Sequence, residues 1–192
     1  NFKLKFKILL LLTIMITSLS IINLNKDLNN RFKGQFITYL TNNGLTNYYY
    51  NSQYGAHYGA AIKIFKNHPI MGAGLRTFYN ECGKDIYDDE KFLSNDSKCT
   101  THPHQLHLEI LSQLGIIGYL MFLTFILYFL IRGFFNYQKY KNLFHLSGLI
   151  FIFVTIFLPL PSGSFFTTYG ATIFWTNVGL VLTFEKVKKT LI

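Results

Sequence analysis

The stretch GIIGYLMFLTFILYFLI at 115–131 carries no charged residue, and it constrains the fold more than any other feature of the chain. A membrane-crossing helix needs roughly 20 mostly apolar residues. Three further segments, 8–24, 143–160 and about 171–184, also lack Asp, Glu, Lys and Arg, although the last is short and holds Asn177. Half of the 192 residues are hydrophobic, with 20 Phe and 13 Tyr. The expected fold is all-α: a polytopic helical membrane protein with about four spans. A run of leucines at 9–12 behind three lysines imitates a secretory signal, but no small-residue cleavage site follows. Because the chain starts at Asn1, it reads as the C-terminal part of a longer protein.

A net charge of +9 raises nucleic acid as a partner, and its distribution argues against that. Lys3, Lys5 and Lys7 precede the first apolar run. Arg132, Lys139 and Lys141 follow the second, and Lys186, Lys188 and Lys189 lie near the end. These nine bases face one acid, Glu185, whereas 25–109 holds nine bases and eight acids. Excess positive charge beside spans marks the cytoplasmic side. The expected topology follows. Residues 1–24 are a cytoplasmic start and first span, and 25–103 a large outside loop. Residues 104–131 enter the membrane as span two, and 132–142 form a cytoplasmic loop. Span three is 143–160, a short outside loop is 161–170, and span four with a cytoplasmic tail is 171–192.

Within the large loop, GAAIKIFKN at 59–67 sets Ala61, Ile62 and Phe65 at helical spacing, which predicts an amphipathic interfacial helix after a turn-rich 51–58. HPIMGAG at 68–74 breaks it with Pro69, Gly72 and Gly74. Cys82 and Cys99 are the only cysteines. They are either two unrelated thiols or a disulfide, and an outside loop favours the disulfide.

THPHQLHLEILSQLGIIG at 101–118 puts histidines at the mouth of the second span. Proline near a helix start predicts one unbroken helix from here into the membrane, with His104 in its first turn. Ionisable groups at that depth are functional candidates, and a helix N-terminus favours the neutral imidazole that a general base requires. His104 could instead be an interfacial anchor. A metal site of His102, His104 and His107 is the other alternative, but no Cys or carboxylate has matching ligand spacing.

These residues also carry a resemblance. His104-Gln105, nine residues, Gly115, two residues and Gly118 resembles the signature of the O-antigen ligase family. HPIMGAGLRTF at 68–78 is similar to that family's Pro-x-x-Gly-x-Gly-x-x-x-Phe segment. The resemblance covers about 55–131 and extends to the related O-antigen polymerases. It implies a transferase that moves a glycan from undecaprenyl diphosphate to an acceptor sugar, such as lipid A–core, outside the bacterial inner membrane. It implies His104 as the base that deprotonates the acceptor hydroxyl, and loop arginines, here Arg31 and Arg76, on the donor diphosphate. Related sequences often carry an arginine where this chain has Tyr79, and an aromatic at His107, which reads as packing. Gly72 and Gly74 could let backbone N–H groups approach phosphate, and Gln105 belongs to the same motif. Metal or another cofactor is not required if arginines carry the charge. The expected partners are the lipid-linked donor, a lipid-linked or saccharide acceptor, and membrane lipids, with no nucleic acid. A polymerase joining repeat units is the rival enzyme reading. A transporter or scaffold is the rival of another class, and it would need charged groups at midplane that the four segments lack.

Overall fold

The computed structural model describes residues 2–30, 33, 37, 41, 44, 46, 49–92, 98–156 and 161–184. Every regular element among them is helical. The chain divides into two units, 1–51 and 52–192.

The first unit holds α1 (Phe2–Leu24) and α2 (Lys26–Asn29). In α1, the Thr13 hydroxyl donates to the Leu9 carbonyl and Thr17 to the Thr13 carbonyl, so neither needs water. Asn25 caps α2 by accepting from the N–H groups of Asp27 and Leu28.

The second unit contains α3 (Gln53–Asn67), α4 (Phe78–Cys82), a 3₁₀ turn (Asp85–Tyr87), α5 (Leu106–Tyr140), α6 (Leu143–Ile156) and α7 (Thr168–Thr183). Among the described residues, α5 alone is long and apolar enough to cross a membrane, while Ile8–Leu24 and Leu143–Ile156 are shorter apolar helices.

Four expectations are corrected. First, α3 starts at Gln53 rather than near residue 59, because the Ser52 hydroxyl accepts from Gly55 N–H and caps it. Its buried face is Ala56, His57, Ala60, Ala61 and Ile64, a small-residue face packed on the start of α5. Second, α5 begins at Leu106, with Gln105 as its cap, so His104 lies before the helix rather than in its first turn. Third, the helix is broken at Gly115, whose φ of 65° and ψ of −168° are not helical. Fourth, α5 runs through most of the expected loop 132–142 and ends at Tyr140, since RGFFNYQKY contains no proline. Lys141, at φ 53°, closes it, and the Asn142 side chain accepts from the N–H groups of Phe144 and His145 to start α6.

Two cores result. Ile126, Phe129, Leu149, Ile152, Phe174, Val178 and Val181 join α5, α6 and α7. Ala60, Ala61, Ile64, Phe78, Cys82 and Tyr87 join α3, α4 and the 3₁₀ turn, with Leu108 of α5 packed against them.

Candidate active site

The break in α5 is where the motif's glycines meet. Leaving the helix at Gly115 frees the carbonyls of Ser112 and Gln113 and the N–H groups of Ile116 and Ile117. The turn after Pro69 takes up all four. Ala73 N–H donates to Ser112 O (2.9 Å) and Gly74 N–H to Gln113 O (3.0 Å). Ile116 N–H donates to Pro69 O (2.9 Å) and Ile117 N–H to Ile70 O (3.3 Å). The approach is too close for side chains. A Cβ on Gly115 would lie 2.3 Å from Ile70 O, and one on Gly72 would lie 2.3 Å from Gln113 C. Both glycines also have φ near 70°, the left-handed region. This docking brings the two glycine segments of the motif together, although Gly72 and Gly115 are 43 positions apart in sequence. It also occupies the N–H groups of Gly74, and of Gly72, which donates to His68 O at 3.0 Å.

Arg76 follows this turn at φ 60°, with its N–H bonded to the Gln113 side-chain oxygen and its own side chain exposed. Arg31 lies outside the described residues. Gln105 spends its side-chain oxygen on Leu108 N–H (2.8 Å) as the α5 cap.

His104 also sits in the left-handed region, at φ 56°. Non-glycine residues held there cluster at functional sites. Its carbonyl accepts from Ser162 N–H (3.0 Å), which ties the 161–167 loop to it. Three aromatic rings surround its imidazole: His102 at 4.2 Å, His57 at 5.4 Å and Tyr54 at 5.6 Å between centroids. Burial, then the neighbouring His102 and His57, lowers its pKa from 6.5 to about 4. The His104 imidazole is therefore neutral at physiological pH.

His57 and Glu109 complete the site, and neither was singled out from the sequence. His57 is buried on α3, and its Nδ1 faces the Lys98 carbonyl at 3.1 Å. That contact makes Nδ1 the donor and leaves Nε2 with the lone pair. Cys82 and Cys99 are bonded, with Cα atoms 5.4 Å apart, and this bridge fixes the segment that presents the Lys98 carbonyl. Lys98 is held further by an ion pair with Asp88. Glu109 is almost wholly buried one turn into α5. It accepts from the Ser164 hydroxyl (2.5 Å) and from Phe165 N–H (2.8 Å), anchoring the loop that holds His104. A lone carboxylate entering an apolar helix was the available signal for it.

The histidine triplet read from the sequence does not converge. His107 turns into the helix bundle, where Nε2 faces the Ile156 carbonyl (2.9 Å) and Nδ1 the Tyr119 hydroxyl (3.0 Å). It is buried as the packing assignment requires, but it also bonds α5 to the end of α6. Among the described residues, no three His, Cys, Asp or Glu side chains converge as a metal-binding group.

An all-helical membrane-associated chain with a histidine cluster at the head of its long apolar helix is the class these observations define. The O-antigen ligase family model matches residues 3–123, and the chain belongs to that family. The match runs from α1 into α5, and so takes in both the docked turn and the histidine cluster. No curated protein and no solved structure matches the chain.

Proposed function

We propose that the protein is a membrane glycosyltransferase of the O-antigen ligase type, with His104 as its general base. The neutral His104 imidazole removes the proton from an acceptor sugar hydroxyl. That oxygen attacks the anomeric carbon of a glycan carried on undecaprenyl diphosphate. The bond between the anomeric carbon and the diphosphate breaks, and the leaving diphosphate keeps the electron pair. A guanidinium fork suits the charge that develops there. Arg76 is the described candidate and Arg31 the second. Arg76 is anchored through its backbone N–H at Gln113, in the first half of α5. The proton taken up by His104 can pass to His57, whose Nε2 holds a lone pair in the same cluster. The reaction takes place at the outer face of the bacterial inner membrane, with lipid A–core as the acceptor.

The observation that carries this reading is the convergence of two imidazoles, His57 and His102, and the Tyr54 ring on a desolvated, neutral His104. The test is transfer in vitro from a lipid-diphosphate donor. His104→Ala should lose the roughly 10²–10⁴-fold that general-base catalysis supplies, with membrane insertion unchanged. Near wild-type turnover in that variant rejects the base assignment. Complementation of ligase-null and polymerase-null bacteria, read from lipopolysaccharide banding, separates the ligase reading from a polymerase.

A further inference from the structure

The turn docked into α5 has a second property. Residues 69–75 carry no charge, and they are bracketed by Lys66 and His68 on one side and Arg76 on the other. Ile70, Met71 and Leu75 in this turn are 61%, 71% and 58% exposed. Apolar side chains left in water forgo roughly 25 cal/mol per Å². The hydrogen bonds fix the turn's depth, because two of them end on Ile116 and Ile117, inside the uncharged stretch. That stretch, 115–131, spans about 26 Å as helix, a few ångströms short of the ~30 Å hydrocarbon layer. Arg132 closes its lower end, so the missing length lies above Gly115, at the level of the turn.

We propose that this turn, Pro69 to Leu75, is a re-entrant element embedded in the outer edge of the bilayer. Its partner is lipid: Ile70, Met71 and Leu75 contact acyl chains, and the charges at Lys66 and Arg76 stay at headgroup level. Irregular backbone survives at membrane depth only where its polar groups are paired within the protein. The four bonds across the α5 break supply that pairing. The exposed surface of α5 just below the docking point, Ile117, Leu120 and Met121, continues the same apolar belt. Lipid is favoured over a protein partner by this continuity with the spanning helix. The proposal rests on α5 crossing a membrane and does not depend on the transferase reading.

Site-directed spin labelling tests it. The full-length protein, with any cysteines beyond the Cys82–Cys99 pair replaced, is reconstituted in phosphatidylethanolamine–phosphatidylglycerol bilayers. Labels are placed at Ile70→Cys and Met71→Cys, with Met121→Cys as the lipid reference and Lys84→Cys as the water reference. Collision with oxygen and with a water-soluble nickel chelate is measured at each. Labels at 70 and 71 should retain oxygen access and lose nickel access, as at 121. Nickel access equal to that at 84 would put the turn in water and overturn the proposal. Poor access to both reagents would mean that protein covers it, and would overturn the proposal equally. Both sites are exposed, so neither label disturbs a packed core, and agreement between them guards against a local artefact.

Discussion

The first half of α5 buries polar residues beside Leu106 and Ile110, whereas the second half buries none. Before the Gly115 break, His107, Glu109, Ser112 and Gln113 are buried, each with a hydrogen-bond partner. After it, Leu120, Met121, Leu127, Tyr128 and Ile131 are mostly exposed, while Ile126 and Phe129 face α6 and α7. The first half is organised by polar groups satisfied inside protein, next to a core that excludes water. The second is organised for a solvent as apolar as its own side chains, where close packing rather than the hydrophobic effect joins helices. The two helical halves of α5 thus serve two solvents, and the break at Gly115 is the boundary between them. Substitutions should therefore act through lost polar pairing before the break and through lost packing after it.

The largest stability effect is expected at the boundary itself. Gly115→Ala forces a Cβ to within 2.3 Å of Ile70 O at a left-handed φ of 65°. The docked turn must then leave, stranding four backbone groups at about 1–3 kcal/mol each. Loss of monodisperse folded protein in size-exclusion chromatography is the expected result. Gly179→Ala, in α7, is the matched control, since nothing lies within 4 Å of its added Cβ. It should be neutral or stabilising by up to about 1 kcal/mol. Equal behaviour of the two variants would remove the boundary.

Next in size is the disulfide. Its bridge spans 17 positions, and closing such a loop is worth roughly 3 kcal/mol in the chain-entropy model. Cys82→Ser with Cys99→Ser should lower thermal stability of the outer region by that order. It should also weaken transfer, because the Lys98 carbonyl no longer holds the His57 tautomer. Unchanged melting and turnover would show that the bridge is dispensable to the cluster.

Glu109→Ala should cost somewhat less, about 1–3 kcal/mol for the Ser164 and Phe165 donors left without an acceptor. Hydrogen exchange should accelerate at 161–167 before it does in α3. Glu109→Gln retains the shape and one acceptor oxygen but sets its NH₂ against the other donor, so it should rescue only in part. Full protection of 161–167 in Glu109→Ala would mean that the loop is held by something else.

Much of this was legible in the sequence, and the gaps have physical causes. The apolar stretch at 115–131 declared α5, because periodicity and charge depletion are local signals. The two glycine motifs, at 72–74 and 115, were visible as motifs. Their mutual docking was not, since a carbonyl freed by a helix break leaves no mark in composition. His104 stood out at the mouth of a span, while His57 did not, because only the fold carries α3 across to it. His145, inside the third apolar segment, carries no distinguishing sequence signal either. It is buried on α6 with its ring nitrogens 2.9 Å from the carbonyls of Gly133 in α5 and Val181 in α7, between the two helices. The end of α5 at Tyr140 is not legible in the sequence, because basic residues at 132–141 signal a side of the membrane, not the end of a helix.

The smallest expected effect is a shift in a pH profile, and it separates the polar half from a merely structural one. Burial is the main cause of the lowered His104 pKa, and the charge on His102 is the second. The base is active when neutral, so turnover should persist as pH falls below 6.5 and fail only as pH approaches about 4. The linkage has the same sign. The unfolded chain binds this proton near 6.5 and the folded chain near 4, so acid between those values destabilises the fold. His102→Asn removes the nearest repelling charge and leaves the carbonyl contacts of His57 intact. The His104 pKa should then rise toward 6.5, moving the acidic limb of kcat/KM upward while kcat at neutral pH changes little. A variant that acted only by loosening the fold would lower activity at every pH without moving the limb. An acidic limb that stays in place in His102→Asn would show that His102 does not bear on the titration of His104.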